Sequence, residues 1–145
     1  MESMTRTAEC ACGRLQVSVE SEPMTVAICH CDFCQKRTGS VFQVGAYFPA
    51  DEPIEVRGET KAYNGLEIDG VGNAAGASVT YNFCPTCGST VYWVSDGEAG
   101  ILGIAGGNIV GTELPGPGME FYTENRHDWV PPAVSAEQFQ KSWRG

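Results

Sequence analysis

Positive charge is what this 145-residue chain has least of: Lys and Arg total 9 against 18 Asp and Glu, a formal net charge of −9. So few cations cannot build a surface broad enough to neutralise a run of phosphates or to sit on an anionic membrane. Nucleic acid and membranes are therefore excluded as expected partners. Long apolar runs are missing as well. No stretch of 18 apolar residues occurs, so no spanning helix is predicted, and the polar start from Met1 to Glu9 offers no secretory leader. The expected location is cytoplasmic. Lys and Leu are sparse, whereas glycine reaches 18 and proline 8, a mixture that favours short strands and turns over long helices.

Against these shortages stand seven cysteines. In a reduced compartment a dense cysteine set points to metal binding or catalysis rather than to disulfides, and an odd count agrees. Spacing is stronger evidence. Cys10-Ala11-Cys12 and Cys29-His30-Cys31 are C-x-C pairs, and a disulfide across one intervening residue would close a small strained ring. Structural zinc takes four ligands and catalytic zinc takes three protein ligands plus an open position, so seven cysteines divide as four plus three. Cys10, Cys12, Cys84 and Cys87 supply two pairs that close a tetrahedron and pin the N-terminal strand to a central hairpin. Cys29, Cys31 and Cys34 lie within six residues and can wrap one face of a metal. His30 is available as a fourth ligand to that triple. Iron–sulfur ligation is the rival metal reading and uses seven cysteines less simply.

No internal repeat, low-complexity tract or linker divides the chain, and its length suits one domain. The expectation is a single zinc-binding domain over 1–145, with a core over about 8–130 and a C-terminal extension over 131–145. Leu15, Val17 and Val19 alternate with polar residues as a half-buried strand does. Further strands are predicted over Met24–Ile28, Val41–Phe48, Ile54–Arg57, Lys61–Tyr63, Ser78–Phe83, Thr90–Ser95 and Met119–Thr123. The stretch from Gln35 to Ser40 reads as a turn or short helical turn ending at Gly39, and Asn64 to Gly76 as a surface loop. Ile101–Ile109, with Gly103, Gly106 and Gly107, reads as a buried strand that another backbone approaches closely. A capping box at Ser135-Ala136-Glu137-Gln138, followed by Phe139 and Trp143, predicts a short C-terminal helix. The fold class is mainly β, small antiparallel sheets around zinc knuckles.

The cysteine pattern resembles the glutathione-dependent formaldehyde-activating enzyme family, which shares a domain with centromere protein V. The matching segments are Cys10-Ala11-Cys12-Gly13, Cys29-His30-Cys31-Asp32-Phe33-Cys34 with Arg37-Thr38-Gly39-Ser40 behind it, Lys61-Ala62-Tyr63, and Phe83-Cys84-Pro85-Thr86-Cys87-Gly88-Ser89. Trp129 after Arg126 also suits the family. The resemblance implies a β-tent fold, a structural zinc on Cys10, Cys12, Cys84 and Cys87, and a catalytic zinc on Cys29, Cys31 and Cys34. It also implies a carbon–sulfur lyase or synthase, like S-hydroxymethylglutathione synthase, acting on a small-molecule thiol and aldehyde or their adduct. Two positions differ from the family's habit: Tyr81 stands where a basic residue is common, and Glu120 where a His is common.

Three thiolates donate much charge to a metal, which favours thiol activation over water activation at the triple. Lys36 and Arg37 are the local candidates to attract a substrate carboxylate. His30 is a candidate proton shuttle, with a surface histidine as the plainer reading. His127 reads as structural. Phe42, Tyr47, Tyr92, Trp93 and Phe121 read as core or pocket wall. Two other functions fit the cysteines, a non-catalytic zinc-stabilised protein-interaction module and a redox-sensing thiol switch. Counting seven thiolates and two zinc ions takes the net charge to about −12. An anionic thiol must then rely on a local basic patch rather than on the overall field.

Overall fold

The computed structural model describes residues 5–64, 79–95 and 100–141, and their strands form two open sheets. In chain order these are β1 (Arg6–Glu9), β2 (Gln16–Val19), β3 (Thr25–Cys29), the helix α1 (Asp32–Thr38), β4 (Gln43–Pro49), β5 (Ile54–Arg57), β6 (Lys61–Asn64), β7 (Val79–Phe83), β8 (Thr90–Ser95), β9 (Ile101–Ala105), β10 (Ile109–Val110), β11 (Met119–Phe121) and β12 (Glu137–Gln138). The smaller sheet runs β10-β1-β2-β5 and the larger one β12-β11-β3-β4-β9-β8-β7-β6. Pairing is antiparallel throughout the smaller sheet. In the larger sheet, β11 is parallel to both β3 and β12. No helix among the described residues is long and apolar enough to cross a membrane.

Alternation along β4 shows what each face of the larger sheet does. Ala46 and Phe48 point into the main core, where Ala8, Leu15, Val17 and Val19 of the smaller sheet meet Val26, Val91, Leu102 and Ile104. Each Val, Leu, Ile or Phe among them contributes about 1.5–3 kcal/mol by leaving water. The intervening position Tyr47 belongs to a second cluster with Cys31, Phe33, Cys34, Tyr81 and Trp93. Register lines up a row across five strands, Tyr63 opposite Tyr81, Tyr81 opposite Trp93, Trp93 opposite Gly103 and Gly103 opposite Tyr47. Because side chains alternate with period two, all of these occupy one face. Ring centroids along the row are 5.9–6.4 Å apart, and Phe33 of α1 lies 5.8 Å from Tyr81.

Most of the predicted strands are present within a residue or two at each end. Ile54–Arg57 and Thr90–Ser95 coincide with β5 and β8, and Gly39 ends α1 in the left-handed conformation at φ 73°. β1 had no sequence signal beyond its four mixed residues. Of the predicted Asn64–Gly76 loop, Asn64 closes β6 and the rest lies outside the described residues. The expected close approach at Gly103 is real, but what approaches is the Trp93 indole rather than a backbone.

The C-terminal helix is corrected. Ser135 takes a left-handed φ of 68°, and Glu137–Gln138 pairs parallel with β11, Met119 opposite Glu137 and Glu120 opposite Gln138. The Phe139 N–H donates to the Glu120 carbonyl at 2.9 Å, and its ring packs 5.6 Å from Phe121. Cross-strand partners on β11 thus take the polar and aromatic groups that a helix would have used along its own length. Trp143 lies outside the described residues.

A Cβ on Gly103 would overlap the Trp93 indole, and one on Gly45 would meet the same ring at 2.9 Å. Gly103→Ala should therefore displace Trp93 and cost about 1–3 kcal/mol. Chemical denaturation read by tryptophan fluorescence tests this. An unchanged midpoint and native spectrum would refute the close approach.

Candidate metal centres

Two turns of the same design carry the first cysteine cluster. After β1, the Gly13 N–H donates to the Cys10 carbonyl at 2.9 Å, and the Leu15 N–H points at the Cys10 sulfur at 3.2 Å. After β7, the Gly88 N–H donates to the Cys84 carbonyl at 2.8 Å, and the Thr86 N–H points at the Cys84 sulfur at 3.4 Å. Gly13 and Gly88 both sit at φ 80°, which L side chains rarely adopt. Ser89 ties the two turns together, its hydroxyl accepting the Ala11 N–H at 3.1 Å and meeting the Cys87 thiol at 3.3 Å. That hydroxyl holds the Cys87 thiol down to about 5.

The four sulfurs of Cys10, Cys12, Cys84 and Cys87 lie within 4.8 Å of one another. Cys10 to Cys12 is 3.6 Å and Cys12 to Cys84 is 3.7 Å. A tetrahedral zinc with bonds of about 2.3 Å separates its sulfurs by about 3.8 Å, so this cluster has the right size for the ion. Backbone N–H groups aimed at the sulfurs are the outer support such a site uses.

The second cluster forms where β3 runs into α1. Cys29 closes the strand, and Cys31 caps the helix, its sulfur accepting the Cys34 N–H at 3.3 Å. The three sulfurs of Cys29, Cys31 and Cys34 also lie within 4.8 Å of one another. Here Cys31 and Cys34 are buried and Cys29 half-buried, against the tyrosine and tryptophan row. Hydrogen bonds from Cys29, then Cys34, hold the Cys31 thiol down to about 3, and the bond to Cys31 pushes Cys29 up to about 12. Three sulfurs sharing protons this closely form a donor set suited to a soft divalent cation. Burial, then the neighbouring thiols, pushes the Tyr47 and Tyr81 hydroxyls well above their ordinary range, so both stay protonated.

His30 lies between two of these cysteines and is fully buried, which corrects its reading as a surface histidine. Its Nε2 is 2.7 Å from Oε1 of Glu120, itself 1% exposed. Burial alone would raise the Glu120 carboxyl. Hydrogen bonds from Gln138, His30 and the Ala133 N–H, with the Arg126 charge, instead hold it down to about 2. An ionised carboxylate only accepts, so His30 Nε2 carries the proton in that bond. Sequence reasoning missed Glu120 as a buried hub. Its position between Met119 and Phe121 in a strand was the available signal.

Lys36 is exposed. Arg37 instead lies over the rings of Tyr81, at 4.3 Å, and Trp93, at 5.5 Å, and donates to the Gln43 side-chain oxygen. It thus brings positive charge to the Tyr81 position, where the family commonly has a basic residue. His127 is exposed, 2.8 Å from the Gln35 amide oxygen and stacked on Trp129. Of the expected core or wall aromatics, Trp93 and Tyr47 join the row, Tyr92 packs on the main core and Phe121 meets Phe139. Phe42 borders a cleft beside α1.

Residues 5–125 match the model of a family described as glutathione-dependent formaldehyde-activating enzyme. The chain belongs to this family. The glutathione-dependent formaldehyde-activating enzyme match spans both cysteine clusters and the whole aromatic row, so the fold elements that build the two centres are those the family shares. No curated protein matches the chain. A solved structure of a Rhodobacter sphaeroides protein, a structural-genomics target, is similar with a TM-score of 0.53 at 20% identity, over 74% of this chain and 90% of that one. At that identity the likeness speaks for the fold alone.

Glu120→Ala would leave His30 and Arg126 around an empty buried site and should cost about 3–5 kcal/mol. The contribution of Glu120 is complete above its ordinary pKa of 4.5 and is lost as pH falls towards about 2, because its folded carboxyl is depressed. Comparing Glu120→Gln with wild type in acid unfolding checks the sign. If the two differed equally at every pH, the carboxylate would not be the group responsible.

Proposed function

We propose that this chain is a zinc-dependent carbon–sulfur lyase or synthase acting on the adduct of a small aldehyde and a glutathione-like thiol. Cys10, Cys12, Cys84 and Cys87 would hold a structural zinc in a β-tent fold, and Cys29, Cys31 and Cys34 a catalytic one. The observation that carries this reading is the contrast between the clusters. One gathers four sulfurs, two of them exposed, and the other gathers three sulfurs against a row of protonated tyrosines. When bound at the triple, zinc supplies a lowered thiol pKa and Lewis acidity towards an oxygen.

The reaction balances without a further reactant. The thiol sulfur bonds to the aldehyde carbon, the carbonyl π bond opens, and the thiol proton ends on the new hydroxyl. The reverse direction breaks the same bond. Phe33, Tyr81 and Trp93 pack around Cys31 and Cys34 and exclude water, which strengthens every charge interaction there. Tyr47 and Tyr81 keep their protons, so their hydroxyls are the donors available to an oxygen that gains charge. His30, withheld in the core by Glu120, acts by holding the turn between Cys29 and Cys31 in place. Arg37 supplies the positive charge for an anionic substrate, and exposed Lys36 adds a peripheral one.

Two measurements test the reading. The purified chain should carry two zinc ions, and Cys31→Ser should lose one of them together with thiol–aldehyde adduct turnover. Unchanged metal content and rate would overturn the catalytic assignment, and two inert metals without turnover would favour an interaction module. Tyr81→Phe should keep both metals and lower the rate by about 10²-fold. A wild-type rate would remove Tyr81 from the chemistry.

A further inference from the structure

A cleft of about 460 Å³ opens between the C-terminal end of α1, the turn after Cys87 and the 3₁₀ turn Gly106–Asn108. Its polar lining includes Arg37, Ser40, Ser89 and Asn108, and Phe42 and Trp93 supply apolar wall. In a chain with 18 carboxylates, no Asp or Glu is among the described residues that line it. Arg37 is the one cation among the described residues of its lining. Elsewhere Arg6, Arg57 and Arg126 each sit on a glutamate. Arg37 has no carboxylate partner among the described residues. It rests on two aromatic rings and one amide oxygen, and its Nε is buried without a partner. None of these neighbours neutralises it, so its full charge remains available to a ligand. Trp93 forms wall for the cleft and also packs against Cys31 and Cys34, and Arg37 follows Cys34 by one helical turn.

We propose that this cleft anchors a carboxylate on Arg37 and selects a thiol whose anchored carboxylate has no ammonium beside it. One cation matches one negative charge, which suits a carboxylate better than a phosphate dianion. An amino-acid zwitterion would bring its ammonium into a site with no carboxylate to receive it, at the cost of an unpaired charge. The γ-glutamyl end of glutathione carries such an ammonium but its glycyl end does not, so a thiol of that kind would enter by its glycyl carboxylate. That the anchored molecule is a thiol rests on the enzymatic reading above, whereas the carboxylate preference does not.

The test uses the full zinc-loaded chain and separates these two parts. Butyrate, butyramide, 2-aminobutyrate and inorganic phosphate are titrated and followed by NMR shifts of the cleft residues. Butyrate should bind roughly 10-fold to 100-fold more tightly than butyramide, the worth of one charge-assisted hydrogen bond. It should also bind more tightly than 2-aminobutyrate. Arg37→Gln should abolish the butyrate–butyramide difference. Ser40→Asp, an exposed change at the rim, should reverse the preference between butyrate and 2-aminobutyrate, and it keeps the proposal testable if Arg37→Gln does not fold. Equal binding of butyrate and butyramide would overturn the proposal, as would tighter binding of phosphate or an unaltered preference in Ser40→Asp. In thiol–aldehyde assays 3-mercaptopropionate should be preferred to cysteine, whose ammonium lies beside its carboxylate, and the opposite order would overturn the selectivity. Butyrate selectivity without turnover of any thiol would uphold the carboxylate anchor and overturn the enzymatic reading.

Discussion

Everything in this fold hangs on joining residues some seventy positions apart at one point. Cys10 and Cys12 follow β1 of the smaller sheet, and Cys84 and Cys87 lie between β7 and β8 of the larger one. Closing that loop costs chain entropy that grows slowly with length, and a metal held by the four sulfurs would offset it, because the site does not exist in the unfolded chain. The cost of placing thiolates side by side is reduced in advance. Main-chain N–H groups face Cys10 and Cys84, and the Ser89 hydroxyl faces Cys87. The main core begins at this joint, since Cys10 and Cys84 are themselves part of it.

From that joint, register does the rest. Once β7 and β8 are fixed at one end by the Cys84–Cys87 turn, the register shift at Asn82/Phe83 sets Tyr81 opposite Trp93 on one face, and pairing through β9 and β4 brings Tyr47 to their side. Gly103 is the position that makes the row continuous, because any side chain there would occupy the volume of the indole. α1 lies on this face through Phe33, carrying Cys34 with it. The second cysteine cluster is thus placed by strand register as much as by its own short spacing.

What could be read from the sequence follows from how local each signal is. The division of the cysteines rests on spacing within turns, and the observed clusters match it sulfur for sulfur. Strands with clean alternation, such as the one carrying Val17 and Val19, and the helix stop at Gly39 were legible for the same reason. The failures are all nonlocal. Ser135 to Gln138 looks like a helix start because a capping box is a local pattern, yet β11 lies alongside and takes Gln138 and Phe139 instead. His30 looks forced outward by its ligand neighbours, but its partner Glu120 is ninety residues away, and nothing near His30 announces it. Gly103 signalled close contact without saying that an indole on the next strand makes it.

The distribution of charge completes the picture. A chain this acidic has no shortage of carboxylates to pair with a cation, and Arg6, Arg57 and Arg126 are paired in that way. Arg37 is treated differently. Stacking on Tyr81 and Trp93 fixes the guanidinium with about 0.5–2 kcal/mol from the ring faces while leaving its charge unspent. A carboxylate in the same place would hold the group as firmly but would cancel the charge. Tyr81 at a position where relatives commonly carry a basic residue therefore does not remove positive charge from the site. It moves the charge onto α1, where it stands between the three-sulfur cluster and the cleft, and leaves the aromatic ring as its support.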